Sequence, residues 1–399
     1  MKIILITTIT PASENIRGTS ALPYHLMAER RRDIDIEVYS YNLNQLTRDK
    51  IAQVEQELNV SIHLMRQPRW MVWMIRLHLL FLRVFLRLPY LSYLRLSKHV
   101  EREIRAGKPD GIWVYGEEIA GLMAQFPDYK RVHIGPDSEA LYYYRMLGQR
   151  FVVNDWKMYL RQAVMYPKYL RLERRYLSDD DAVYCVVGGA DAEFIQRMNP
   201  QCKTVFLRHP HYEVARQDAD TIHFHQPIRL LIAGRYDLYM RQCADELIES
   251  LCHCGDRLAK DSYEVTFLGK GWDDLASNMK RAGWHVSHIV FAPNYVEEVM
   301  RHDVQLVPIT IGTGTKGKVL DALANGLMVI GTPYAIENIA VEDGVSCIVY
   351  QNPERVVEVL EDMPRHLSFY EQMAERGRQA VLSVHDRERL SNQFFDLFH

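Results

Sequence analysis

Residues 304–333 read Val-Gln-Leu-Val-Pro-Ile-Thr-Ile-Gly-Thr-Gly-Thr-Lys-Gly-Lys-Val-Leu-Asp-Ala-Leu-Ala-Asn-Gly-Leu-Met-Val-Ile-Gly-Thr-Pro. The runs at 304–308, apolar but for Gln305, and at 328–331 are those of strands buried on both faces of a parallel sheet. Between them lie a glycine-rich turn and a helix beginning at Lys318. Such a turn leaves backbone N–H groups free, and a helix start adds a partial positive charge. Gly312, Gly314, Thr315, Lys316 and Lys318 therefore form a site suited to a diphosphate. Asp321, one turn into the helix on the face of Lys318, is placed to accept ribose hydroxyls. The Walker spacing of a generic phosphate loop is absent.

Working outward, the alternation continues in both directions. Apolar strands are expected at 2–8, 36–39, 111–115, 131–134 and 182–187, and again at 228–233, 264–268, 288–291 and 346–349. Helices are expected at 21–31, 188 onward, 241–254 and from 350 to the end. This is an α/β chain of two doubly wound, Rossmann-like domains facing a cleft, with ligands beyond the carboxyl ends of the strands. The boundary falls in the charged, His-rich and Pro-containing stretch 204–227. The expected domains are 1–205 and 206–385, with 386–399 a helix packing back on the first.

At 399 residues the chain has room for two cores. Its six cysteines are sparse and argue for a reducing compartment rather than a disulfide scaffold. Cys252-His253-Cys254 has no second Cys/His pair at ligand spacing and reads as helix, so no metal is expected. The apolar opening at residues 1–6 turns polar too soon for a signal peptide. Charge is divided: residues 1–205 hold 29 Lys and Arg against 23 Asp and Glu, and residues 206–399 hold 19 against 28. The basic first half points to an anionic surface. Without aromatic-interleaved basic motifs, nucleic acid is excluded in favour of lipid or phosphate.

Residues 69–105 break the pattern. On one helix Arg69, Arg76, Arg83 and Arg87 would fall within about 40° of each other, the rest of the cylinder being Trp, Met, Ile, Leu, Phe and Val. A narrow cationic stripe on an apolar body, with Trp70 and Trp73 at one end, fits a helix lying in a membrane interface. The apolar runs are too short to span a bilayer. The alternative is a helix buried in the domain with its arginines in water. Arg95, Lys98, Arg102 and Arg105 continue the basic character.

The 304–349 stretch resembles the donor-binding region of GT-B glycosyltransferases, especially group 1 (family 4-like). In that family a basic residue of the loop contacts the donor diphosphate, and a carboxylate of the Glu/Asp-Ala-Leu/Met-Ala-x-Gly helix holds the ribose. The matching positions are Lys318 and Asp321. Retaining members carry a carboxylate eight positions before the latter, where this chain has Thr313; inversion is the better fit. Gly331-Thr-Pro and Glu342-Asp-Gly also resemble the family. Leu231-Ile-Ala-Gly-Arg235-Tyr is similar to its strand that ends in a phosphate-binding basic residue. Loops 268–272 and 293–295 would flank the nucleobase, with Tyr295 stacking on it or bonding to it. In the first domain, Arg131-Val-His133-Ile-Gly-Pro-Asp137 is similar to the base-bearing loop of an inverting glucuronosyltransferase acting on a polyprenyl-diphosphate sugar.

The resemblance implies a nucleotide-sugar donor, a lipid-linked or oligosaccharide acceptor, no cofactor, and work at the cytoplasmic face of the inner membrane in surface polysaccharide synthesis. Sugar transfer needs a group that deprotonates the acceptor hydroxyl. Asp137 is the first candidate, and its other reading is a helix N-cap before Glu139. Glu118, with Glu117 beside it, is the rival base. His133 either orients the acceptor or is a core histidine. Gly18, in the loop after the first strand, would lie near the phosphates. Two other classes stay open: a sugar-nucleotide 2-epimerase of the same fold, which would turn over its donor without acceptor, and a non-catalytic membrane-associated binding protein, which would bind nucleotide without turnover.

Overall fold

The computed structural model describes residues 1–16, 19–149, 151–217 and 221–399, with the backbone alone of Asn154. They form two compact units, Met1–Pro210 with Arg387–His399, and His211–Asp386.

The first unit is built from β1 (Lys2–Thr7), α1 (Ala21–Ala28), β2 (Asp35–Ser40), α2 (Arg48–Leu58), β3 (Ser61–Leu64), α3 (Arg69–Arg76), α4 (Lys98–Ala106), β4 (Gly111–Tyr115), β5 (Lys130–Ile134), α5 (Glu139–Leu147), α6 (Trp156–Glu173), β6 (Ala182–Val186), α7 (Gly189–Met198) and β7 (Lys203–Phe206). The strands are parallel, in the order β3-β2-β1-β4-β5-β6-β7. Each strand side chain points opposite to its neighbour. Ile3, Leu5, Trp113 and Tyr115 accordingly enter one core, and Ile4, Ile6, Ile112 and Val114 another. Both faces are covered, which is why these strands are apolar throughout.

The second unit holds β8 (Ile228–Ala233), α8 (Arg241–His253), β9 (Tyr263–Leu268), α9 (Asp273–Arg281), β10 (His285–Ile289), α10 (Tyr295–Val299), β11 (Val304–Val307), α11 (Gly317–Ala324), β12 (Met328–Gly331), α12 (Pro333–Ile336), β13 (Ile348–Val349), α13 (Glu354–Asp362) and α14 (Leu367–Val384). Its parallel sheet runs β10-β9-β8-β11-β12-β13.

The last helix, α15 (Arg387–Phe395), belongs to the first unit. Phe394 and Phe395 lie 4.6 and 6.1 Å from the Trp113 ring, and Ser391 donates to the Leu26 carbonyl at 2.7 Å. Gly111 is bare because a Cβ there would stand 2.3 Å from the Phe398 ring. Burying each phenylalanine contributes about 1.5–3 kcal/mol.

Two expected elements differ. Residues 69–88 are not one helix: α3 ends at Arg76, His78 turns left-handed at φ 55°, and residues 79–85 form a 3₁₀ segment. Only Met71 of α3 is buried, so little packing holds a longer helix together. Arg69 and Arg76 share a helix; Arg83 and Arg87 do not continue its stripe. The strand expected at 288–291 is β10, displaced toward the N-terminus, and the apolar Val290 and Phe291 beyond it are exposed.

Candidate functional site

In both sheets the strand order reverses beside the first strand, between β1 and β4 and between β8 and β11. The loops beyond those carboxyl ends are the natural ligand positions.

In the second unit the loops after β8 and β9 are locked together. Trp272 Nε1 donates to the Gly234 carbonyl at 2.8 Å, and the Tyr236 N–H to the Lys270 carbonyl at 3.0 Å. Gly269, at φ 135°, passes so close that a Cβ would stand 2.0 Å from Gly234 O. From these adjacent strand ends Arg235 and Lys270 project into solvent, and neither side chain has a hydrogen bond or ion pair among the described residues. Across the switch point, Tyr239 O accepts from Thr310 N at 2.7 Å, joining the β8 loop to the one after β11.

That second loop turns at Gly314, which is left-handed at φ 60°. Lys316 folds back over it, its ammonium donating to the carbonyls of Thr313 at 2.7 Å and Gly314 at 3.1 Å. A Cβ on Gly312 would collide with that side chain at 2.7 Å. Thr313 and Thr315 are half-buried in the turn. Lys316 thus braces the loop that it was expected to arm. Helix α11 follows without any side-chain cap, so its first N–H groups face the loop.

Three further donor-site expectations meet structural roles. Lys318 sits over the Tyr295 ring, 5.1 Å from its centroid, and burial lowers its pKa against the pull of Asp321. Tyr295 donates its hydroxyl to Lys318 O at 3.1 Å and accepts from Gln305 Nε2 at 3.3 Å, so one ring face and its hydroxyl tie α10 to α11. Asp321 is buried and its Oδ1 accepts from Tyr212 N at 3.1 Å. Burial pushes its carboxyl up to about 7.

In the first unit, Gly18 lies outside the described residues; Thr19 beside it accepts the Tyr115 hydroxyl at 2.6 Å. After β5, Ser138 rather than Asp137 caps α5, its Oγ accepting from Leu141 N at 3.1 Å and donating to Glu173. Ser138 N is held by Asp191 at 2.8 Å. Asp137 is half-buried on this braced turn. Glu139 follows it, its pKa raised well above the carboxylate range by burial and by the charges of Glu117, Asp137, Glu118 and Glu173. Glu117 is raised by burial too. The loops after β4 and β5 thus gather Glu117, Glu118, Asp137 and Glu139, and burial first, then the neighbouring charges, raises the carboxyls of Glu117 and Glu139.

Glu118 is engaged otherwise: its two oxygens accept from Leu91 N at 2.7 Å and the Tyr169 hydroxyl at 2.8 Å, fastening segment 90–93 to α6. His133 is a core histidine. Its Nε2 bonds the Gly116 carbonyl at 2.9 Å, its ring packs on Tyr176 and Tyr184, and burial lowers its pKa to about 4. Sequence reasoning missed Glu139 and the free cation Lys270. The first looked like a helix-start residue, and the second shared a loop assigned to the base.

Residues 245–396 match a family described as glycosyl transferase-like. No curated protein matches the chain. Among solved structures, HepE of Anabaena in complex with UDP is 13% identical with a TM-score of 0.64, over 99% of each chain. Sucrose-phosphate synthase of Thermosynechococcus elongatus is 12% identical with a TM-score of 0.62, over 100% of this chain and 98% of that one. WaaG, a glycosyltransferase involved in lipopolysaccharide biosynthesis, is 13% identical with a TM-score of 0.60, over 99% of each chain. At such identities the likeness is one of fold, and the fold is GT-B: two Rossmann-like units with parallel sheets of seven and six strands.

Proposed function

We propose that this chain is a glycosyltransferase that moves a sugar from a nucleotide-sugar donor to a lipid-linked saccharide in the building of a bacterial surface polysaccharide. One observation carries the donor assignment: Arg235 and Lys270 stand free at adjacent strand ends, beside a glycine turn that leads into the uncapped start of α11. Unpaired cations and helix N–H groups at a Rossmann switch point suit a diphosphate. Family resemblance over 245–396, and a fold shared with a protein solved with UDP, support the same reading.

In the reaction, the arginine and lysine stabilise the negative charge that develops on the departing nucleoside diphosphate. They supply what a metal would, so none is needed. Lys318, in the first turn of α11, adds a further charge. Asp137, coupled to Glu139, takes the proton of the acceptor hydroxyl as it attacks the anomeric carbon. Thr313 stands where a retaining enzyme has its second carboxylate, which favours inversion. The exposed apolar run of α3 and residues 77–85 brings the first unit to the inner membrane, where a lipid-linked acceptor resides. Trp73, Phe81 and Phe85 are 59, 63 and 80% exposed. No helix among the described residues is long and apolar enough to cross a membrane, so contact would be interfacial.

The test is a panel of nucleotide sugars screened for thermal stabilisation, followed by turnover with and without lipid-linked saccharide. Stabilisation by one sugar nucleotide and acceptor-dependent release of nucleoside diphosphate are expected. No stabilisation by any of them would remove the donor site. An epimerised donor formed without acceptor would replace transfer by isomerisation.

A further inference from the structure

A pocket of about 790 Å³ opens in the first unit, away from the loops that hold Asp137. It is lined by the carboxyl ends of β2 and β3, by the segment leading to α3, and by the first turn of α4. Arg66, on its wall, is exposed and has no hydrogen bond or ion pair among the described residues. Arg95 spends one guanidinium nitrogen on the carbonyls of Ser92 and Leu94, at 3.3 and 2.7 Å. Its other nitrogens have no partner among the described residues. His99 lies exposed in the first turn of α4, whose cap Ser97 also lines the pocket. His63 stacks on Tyr39 with centroids 4.7 Å apart. The one carboxylate of the lining, Glu103, lies near Tyr39, whose phenol pKa is raised by burial first and then by that charge. Deeper in, Tyr41 is 6% exposed, and its hydroxyl has no hydrogen-bond partner among the described residues. The ring is buried while the hydroxyl opens on the pocket, where a ligand can bond it.

Two fork-shaped cations, a helix start and a waiting hydroxyl describe an acceptor-rich anion, and a phosphoryl group matches that set. The rim decides its source. Pro68 lines the pocket, and α3 begins at the next residue with Trp70 and Trp73 exposed. A ligand whose anionic head enters the pocket and whose apolar body continues along that segment would satisfy both. We propose that this pocket binds the phosphoryl head of a lipid, with the lipid's chain lying along α3. The inference deepens the lipid-linked acceptor reading and rests on it for its biological meaning, though not for its chemistry.

Calorimetric titration of the full chain with dihexanoyl phosphatidic acid, kept below its micelle concentration, tests it. Dihexanoyl phosphatidylcholine, inorganic phosphate and pyrophosphate are run beside it. Phosphatidic acid is expected to bind most tightly. The pair Arg66→Glu with His99→Ala should weaken it about tenfold or more, and the near-isosteric Tyr41→Phe by a smaller, measurable factor. Nucleotide-sugar stabilisation should be unchanged in all variants. Equal affinity in wild type and variants overturns the site. Inorganic phosphate as tight as the lipid overturns the lipid source, and phosphatidylcholine as tight overturns the anionic head. Loss of nucleotide-sugar binding in the wild type would instead defeat the proposed function while leaving these titrations readable.

Discussion

Arg235 and Lys316 look alike in the sequence, each a basic residue beside glycine after a strand. Their surroundings separate them. Arg235 has open solvent ahead of it, whereas the Lys316 chain folds over Gly312 onto two carbonyls. Arg235→Ala should therefore raise the Kd for the nucleotide sugar about tenfold or more, since hydrogen bonds to a charge contribute about 1.5–3 kcal/mol. Calorimetric titration reads this directly; an unchanged Kd would place the diphosphate elsewhere. Asp137→Asn should lower kcat about 10²- to 10⁴-fold with donor binding intact. Because the base acts ionised, the rate is lost as pH falls. Glu173, pushed up to about 8 by burial, makes a prediction about stability. The folded state keeps a proton that the unfolded chain releases above about 4.5. Stability is thus full below that value and declines as pH rises toward 8, by up to about 1.4 kcal/mol per pH unit. Denaturant midpoints taken between pH 5 and 8 should fall in the wild type and flatten in Glu173→Gln.

Among the elements, those with strong internal periodicity were readable. A strand buried on both faces is apolar at nearly every position, so β1, β4, β8 and β11 announce themselves despite Arg229 and Gln305. Elements stabilised by distant partners did not. The strand 288–291 looked apolar enough, yet pairing with β9 starts at His285 and ends at Ile289. Residues 69–88 carry a helical pattern, yet only Met71 of α3 finds a core, and the helix stops at the left-handed His78. Segments β3, β7 and α2 are short or half-exposed, and their amphipathic patterns are correspondingly faint. The locking of the β8 and β9 loops was equally hidden, because a glycine beside a lysine does not reveal that another backbone passes within contact. Gly269→Ala tests it: with a left-handed φ and a carbonyl in the way, the second unit should lose several kcal/mol or fail to fold. Urea unfolding followed by Trp272 fluorescence would show it, and a stable variant would mean that the loops are not in contact.

For the molecule as a whole, the basic half and the acidic half differ in what they can approach. Anionic vesicles should bind the wild type, release it as salt is raised, and fail to bind Trp73→Ser with Phe81→Ser. Co-flotation measures this, and retention by the double variant would assign the attraction to charge alone. The sequence by itself determined two parallel sheets and a glycine turn with basic residues at a switch point, because burial on both faces and turn chemistry are written in consecutive residues. Tertiary structure alone decided which cations stay free, which carboxylates share one field, and how α15 meets the first core across 365 residues of chain. Those properties depend on which distant residues become neighbours, and local periodicity carries no record of that.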